Sequence, residues 1–94
     1  MEKGSLEGLL NPDKIAVIGA SNSEFKVGGI VFNRLMGSHR RLFPVNPKET
    51  VIRGHKVFQD IGSLPMGIDL AVITISAKAA VSAVEQCLEK KIPN

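Results

Sequence analysis

The chain has 94 residues, 44% of them hydrophobic and 22% charged, which suffices for one small domain, whole or partial, and its core. It has no apolar run of ~18 residues for a membrane span, Met1–Gly8 lacks the apolar stretch of a secretion signal, and Cys87 has no second cysteine for a disulfide. A reducing, cytoplasmic setting is therefore expected, with no membrane partner, and Cys87 reads as a small packing residue.

The net charge of +3 is unevenly spread. From Lys26 to Lys56, the cations Lys26, Arg34, Arg40, Arg41, Lys48, Arg53 and Lys56 face the single acid Glu49, while both flanks are slightly acidic. A basic middle suits an anionic ligand. Nucleic acid is not the expected partner, since Trp and Tyr are absent and no zinc-finger or RNA-binding signature occurs.

Residues 1–13 read as a lead-in segment, with a short helical turn at Leu6, Leu9 and Leu10 and punctuation at Asn11-Pro12-Asp13. Lys14 to Ile18 is a strand whose unbroken apolar character suits burial on both faces of a parallel sheet. Gly19 to Lys26 is a small polar loop. Val27 to Met36 is a helix with Val27, Ile30, Val31 and Leu35 at helical spacing and Gly37 as its stop. Gly28 and Gly29 in its first turn lower helix propensity, so a close approach by the strand or by a ligand is expected there.

Arg41 to Val45 is the second strand, ended by Asn46-Pro47. Gly54 to Phe58 forms a short extra strand, and Asp60 to Leu64 one helical turn before Pro65. Ile68 to Ile75 is the third long strand. Ser76 is the N-cap of a helix from Ala77 to Lys91, with Ala77, Ala80, Val81, Val84 and Leu88 on its apolar face. Lys90 and Lys91 fall where the helix dipole favours cations. Alternating buried strands and amphipathic helices imply a parallel α/β sheet with flanking helices. After Asn94 a further strand is expected, so the domain reads as cut short at its C-terminal side, or as one that pairs with another chain. An open sheet edge also favours association, a second copy included.

Ligands of such sheets sit at the carboxyl ends of the strands. Three loops should converge there: Gly19–Lys26, Asn46–Lys48, and Ser76 with Ala77. A strand that turns through Gly19 into a helix aims backbone N–H groups and the positive end of a helix dipole at one point, which suits a phosphate. The glycine spacing is not G-x-G-x-x-G, and Asn46 stands where an NAD site has an acid for the ribose hydroxyls. A neutral residue followed by Lys48 better suits a phosphorylated ribose. Coenzyme A carries both a diphosphate and a ribose 3′-phosphate, so a lysine in each of two loops has a reason. The Walker pattern is absent. No catalytic or metal-binding constellation stands out. His39 and His55 read as surface or turn residues, Ser21 as a loop hydrogen-bonder, and Asp60 and Asp69 as turn caps.

The segments Asn11-Pro-Asp-Lys-Ile-Ala-Val-Ile-Gly-Ala-Ser21, Lys26-Val-Gly-Gly29, Phe43-Pro-Val-Asn-Pro-Lys48, Gly54, Leu64-Pro65 and Asp69-Leu-Ala-Val-Ile73 occur in that order. Over residues 6–94 the chain resembles the N-terminal CoA-binding domain of nucleoside-diphosphate-forming acyl-CoA synthetases. That group includes ADP-forming acetate–CoA ligases and the succinyl-CoA synthetase α subunit. The resemblance implies a Rossmann-like CoA-binding fold with coenzyme A as ligand and further synthetase domains or a subunit as partners.

By motif match, Gly19, Ala20 and Ser21 would shape the turn around the CoA phosphates, Lys26 would reach a phosphate, and Gly28 would admit close approach. Asn46, Pro47 and Lys48 would flank the adenosine end, with Lys48 on the 3′-phosphate. Ile75 and Ser76 would line the way to the pantetheine arm, although many members carry Pro in place of Ser76. Family enzymes relay a phosphoryl group through a histidine in a later domain and use an ATP-grasp domain for the nucleotide. Neither part is matched here, so the resemblance implies CoA binding by a chain that is not catalytic alone. The alternatives are a non-catalytic CoA-binding or sensing module, free-standing or fused to an acyltransferase, and an NAD-binding domain.

Overall fold

The computed structural model describes residues 11–23, 25–38 and 40–94. The expected turn at Leu6, Leu9 and Leu10 lies outside the described residues, as does His39. The elements are β1 (Lys14–Ile18), α1 (Val27–Met36), β2 (Arg41–Val45), β3 (Val51–Ile52), β4 (His55–Lys56), a 3₁₀ turn (Ile61–Ser63), β5 (Leu70–Ile73) and α2 (Ala77–Glu89). β2, β1 and β5 form a parallel sheet in that order, so the apolar run of β1 is its central strand.

Strand pleating sends alternate β1 side chains to opposite faces. Ile15 and Val17 join Phe32, Leu42, Ile52 and Val57 in one core cluster. Ala16 and Ile18 join Val45, Ile61, Leu64, Ala83 and Cys87 in the other. Burial pushes the Cys87 thiol above its ordinary value, and the residue packs as expected.

Both helices are rotated away from the apolar faces suggested by their sequences. In α1 the buried residues are Gly28, Gly29 and Phe32, with Val31 and Leu35 packed at the margin. Val27 and Ile30 are 62% and 46% exposed. The glycines must abut the preceding loop, and this sets the rotation that carries Phe32, four residues after Gly28, into the core.

In α2 the stripe toward the core is Ala83 and Cys87, with Ala80 partly covered, while Val81, Val84 and Leu88 are exposed. Small residues let the helix lie close to the sheet. The larger apolar side chains lie on the flank of α2 away from Ser82 and Gln86, and β5 is one edge strand of the sheet. On the open side of β5, the Ala71 N–H donates to the Asn94 carbonyl at 2.8 Å.

The third long strand is shorter than Ile68–Ile75, because β1 supplies partners only as far as Ile18 before the chain turns. The expected extra strand is half of an antiparallel hairpin, β3 with β4, turning at Arg53-Gly54. Phe58 then pairs with the outer edge of β2, donating its N–H to the Pro44 carbonyl at 2.9 Å. Pro44, which has no N–H to give, sits in this edge strand of the three-stranded sheet. His55 lies in the hairpin with its ring edge-on to Phe32.

α2 ends two residues early. Ile92 N–H reaches the Cys87 carbonyl, Lys91 N–H reaches the Leu88 carbonyl, and Lys91 has φ +62. This is a Schellman closure with lysine at the left-handed position and buried Ile92 as its apolar contact. Asp60 is a turn cap as expected, whereas Asp69 ties the segment before β5 to the start of β1. Asp60 accepts from the Ser63 N–H at 2.8 Å, and Asp69 from the Asp13 and Lys14 N–H groups at 3.1 and 3.0 Å. Among the described residues no helix is long and apolar enough to cross a membrane.

The observed rotation of α1 predicts opposite outcomes at two apolar positions. Phe32→Ala should lower unfolding stability by about 3–5 kcal/mol. Val27→Ala should change it by less than about 0.5 kcal/mol. Chemical denaturation of the two variants checks both values.

Candidate functional site

At the carboxyl end of β1 the chain leaves the sheet through Gly19, which has φ +93. A side chain here would be strained by that conformation, and its Cβ would lie 2.7 Å from both Ile75 Cγ2 and Thr74 Oγ1. The first loop therefore rests directly on the end of β5. Ala20 is fully buried in the α1-side core, backbone as well as side chain, so the direct contact with a ligand expected of it is not available. Ser21 is also buried, and its Oγ accepts from the Ser23 N–H at 3.0 Å, the loop-bonding role expected of it.

α1 then begins against this loop. A Cβ on Gly28 would collide with the Gly19 carbonyl, and one on Gly29 with the Ser23 carbonyl. The close approach foreseen for these glycines is thus made by the protein's own backbone. Lys26 is the N-cap residue, with no side-chain cap bond and no acid in the first turn. The Lys26 N–H donates to the Ser23 carbonyl at 3.3 Å and the Gly29 N–H to the Lys26 carbonyl at 3.0 Å, while the dipole adds about half a positive charge at this end. Exposed Lys26 adds a full charge to the same place. Both charges have the sign that suits an anion.

The second loop is joined to the first. Asn46 Nδ2 donates to the Ala20 carbonyl at 2.9 Å, and Asn46 Oδ1 accepts from the Lys48 and Glu49 N–H groups at 2.7 and 3.1 Å. The Lys48 side chain is exposed. Asn22, which the sequence reading did not single out, donates to the Val51 carbonyl at 2.9 Å and also meets the Glu49 carboxylate. It thereby ties the first loop to the β3–β4 hairpin. Its small polar side chain in a glycine-flanked loop was the available signal, one shared by most turn residues.

On the opposite face of the sheet, a cavity of about 320 Å³ opens between the second and third loops. Ile18, Val45, Pro47, Ile61, Ile75 and Ala79 supply much of its apolar lining. Pro47 and Ile75 thus share one cavity, whereas Gly19, Ser21, Lys26 and Gly28 gather at the start of α1. Ser76 caps α2, accepting from the Ala79 N–H at 3.4 Å. Thr74 was also missed. Its Oγ1 donates to the Ile18 carbonyl at 2.8 Å beside the Gly19–Gly28 contact, and the sequence signal was a hydroxyl at the end of an apolar run.

A family described as CoA binding domain matches residues 13–94. An ADP-forming acetate–CoA ligase I of Archaeoglobus fulgidus is 37% identical over 87 residues, which cover 93% of this chain and 13% of that protein. The α subunit of ADP-forming acetate–CoA ligase I of Pyrococcus furiosus is also 37% identical, over 94% of this chain and 20% of that subunit. Among solved structures, an acetyl-coenzyme A synthetase 1 of Candidatus Korarchaeum cryptofilum, in complex with phosphate and ADP, superposes with a TM-score of 0.87. Its identity is 28%, over 95% of this chain and 20% of that one. The chain thus spans a fifth or less of the length of each of these relatives.

The packing at the start of α1 makes Gly28 intolerant of any side chain, because the opposing atoms are backbone. Gly28→Ala should cost about 3 kcal/mol or more of stability. Gly37→Ala is the contrast. Its Cβ would lie 3.5 Å from the Arg34 carbonyl, and Gly37 has φ −74, so a change between neutral and about 1 kcal/mol of stabilisation is expected. Thermal unfolding of the two variants measures the difference.

Proposed function

The chain belongs to the CoA-binding domain family, and from that footing we propose that it binds coenzyme A across the carboxyl ends of β1, β2 and β5. The observation that carries this reading is the uncapped start of α1, held against the Gly19 turn, with one exposed lysine beside it and a second on the adjoining loop. Two cationic positions and an apolar cavity fit a ligand that has a diphosphate, a separate phosphate and a long uncharged arm.

In this reading the diphosphate meets backbone N–H groups at the start of α1, with Ser21 supporting the turn and Lys26 neutralising charge. Lys48 faces the ribose 3′-phosphate. Pro47 and Ile75 guide the pantetheine arm, Ser76 stands at the mouth of the third loop, and buried Ala20 acts through its carbonyl, which holds Asn46.

The chain's relatives support a part in a reaction. Acetate–CoA ligases that form ADP are among them, so the proposed setting is an acyl-CoA synthetase that joins an acyl acid to CoA at the expense of ATP, releasing ADP and phosphate. The domain's task is to bind and orient CoA so that its thiol can attack an activated acyl group. Phosphoryl relay and nucleotide handling belong to other domains or a partner subunit. A cytoplasmic location suits such a role.

Lys26→Ala and Lys48→Ala should each weaken CoA binding by about 1.5–3 kcal/mol, the value of a charge-assisted hydrogen bond. The two should differ toward 3′-dephospho-CoA, which only the Lys48 variant should bind nearly as well as the wild type does. Titration calorimetry of both variants with both ligands checks this. Equal losses for the two ligands in the Lys48 variant would refute the placement of the 3′-phosphate.

A further inference from the structure

Half-buried Asn46 spends its side chain on the protein itself. Oδ1 takes the Lys48 and Glu49 N–H groups, and Nδ2 gives a hydrogen to the Ala20 carbonyl. Its backbone N–H also donates to the Phe58 carbonyl at 3.0 Å. One amide group therefore joins the turn after β1 to the loop that carries Lys48, while the strand beneath is anchored from its outer side. The far end of that loop is fastened separately, where Asn22 meets the Glu49 carboxylate and the Val51 carbonyl. Asn22 gives that carboxylate a partner other than Lys48.

We infer that Asn46 is a positioning residue, whose link between Ala20 and the Lys48 backbone sets the spacing between the start of α1 and the Lys48 charge. The site thereby selects nucleotides that carry a diphosphate and a second phosphate on the ribose. This inference rests on the CoA reading above and adds to it the source of discrimination.

The chemistry of the position requires an amide. An aspartate could accept from the Lys48 and Glu49 N–H groups, but it has no hydrogen for the Ala20 carbonyl and would set a negative charge against it. A serine could accept from the Lys48 N–H in the same kind of turn, but it is too short to bridge to Ala20. Asparagine does both. An exposed lysine on an untied loop attracts any anion, whereas one at a fixed distance from a second anion site rewards only a ligand with matching spacing.

The test titrates CoA and 3′-dephospho-CoA into the wild type, Lys48→Ala, Asn46→Asp, Asn46→Ser and the Asn46→Asp/Lys48→Ala double variant. Both Asn46 variants should bind CoA about tenfold or more weakly. Their preference for CoA over dephospho-CoA should fall toward that of Lys48→Ala, and the double variant should lose no more preference than Lys48→Ala alone. A folded Asn46 variant that keeps the wild-type preference overturns the inference, including one that weakens both ligands equally. A wild type without preference for CoA refutes the ligand reading first, and the inference falls with it before any variant is considered. If neither Asn46 variant folds, side-chain amide exchange in the wild type decides. Slow exchange of the Asn46 Nδ2 protons is expected, and exchange at the free solvent rate overturns the link to Ala20.

Discussion

The start of α1 lies so close to the turn after β1 that no side chain fits between them, and much of the molecule is arranged around that contact. Gly28 faces the Gly19 carbonyl and Gly29 the Ser23 carbonyl, backbone against backbone. The contact sets the rotation of the helix, which places Phe32 in the core and leaves Val27 and Ile30 toward solvent. It also fixes where the leading N–H groups of the helix point. With no side-chain cap and no acid in the first turn, no side chain of α1 neutralises the positive end of its dipole.

β1 separates two different environments. On its α1 side lie the tight turn, the open helix start and Lys26. On its α2 side lies a cavity bounded by Pro47, Ile75 and the small residues of α2. A ligand with a charged head and an uncharged arm could use both only by passing over the strand ends. There the loops are already joined, Gly19 to the end of β5 by contact and Ala20 to Asn46 by a hydrogen bond. Such prior fixing reduces the ordering cost of binding.

Much of this was legible in the sequence. β1, α1 and β2 have the expected bounds, because branched runs, glycine and Asn-Pro mark their ends strongly. The central position of β1 followed from its unbroken apolar run. The helix faces were legible only in part, at Val31, Leu35, Ala80 and Cys87. Hydrophobic periodicity favours the largest apolar side chains, whereas Gly28 and Gly29 in α1 and Ala83 and Cys87 in α2 are buried because close approach requires small residues. The β3–β4 hairpin was half visible, since Arg53-Gly54 is a two-residue turn flanked by residues too few to show alternation. In the site, the turn at Gly19 and the surface placement of Lys26 and Lys48 could be inferred from residue type and order. The structural bonds of Asn46 and Asn22 depend on which loops meet, which a single sequence does not encode locally.

The most direct test of the open helix start as the anion site is a ¹⁵N-resolved NMR titration of the chain with CoA. The account predicts that the amides of Ser21, Val27, Gly28 and Lys48 shift most and saturate together. Shifts confined to the Gly62, Glu89 and Lys90 surface, or none in a folded chain, would contradict it.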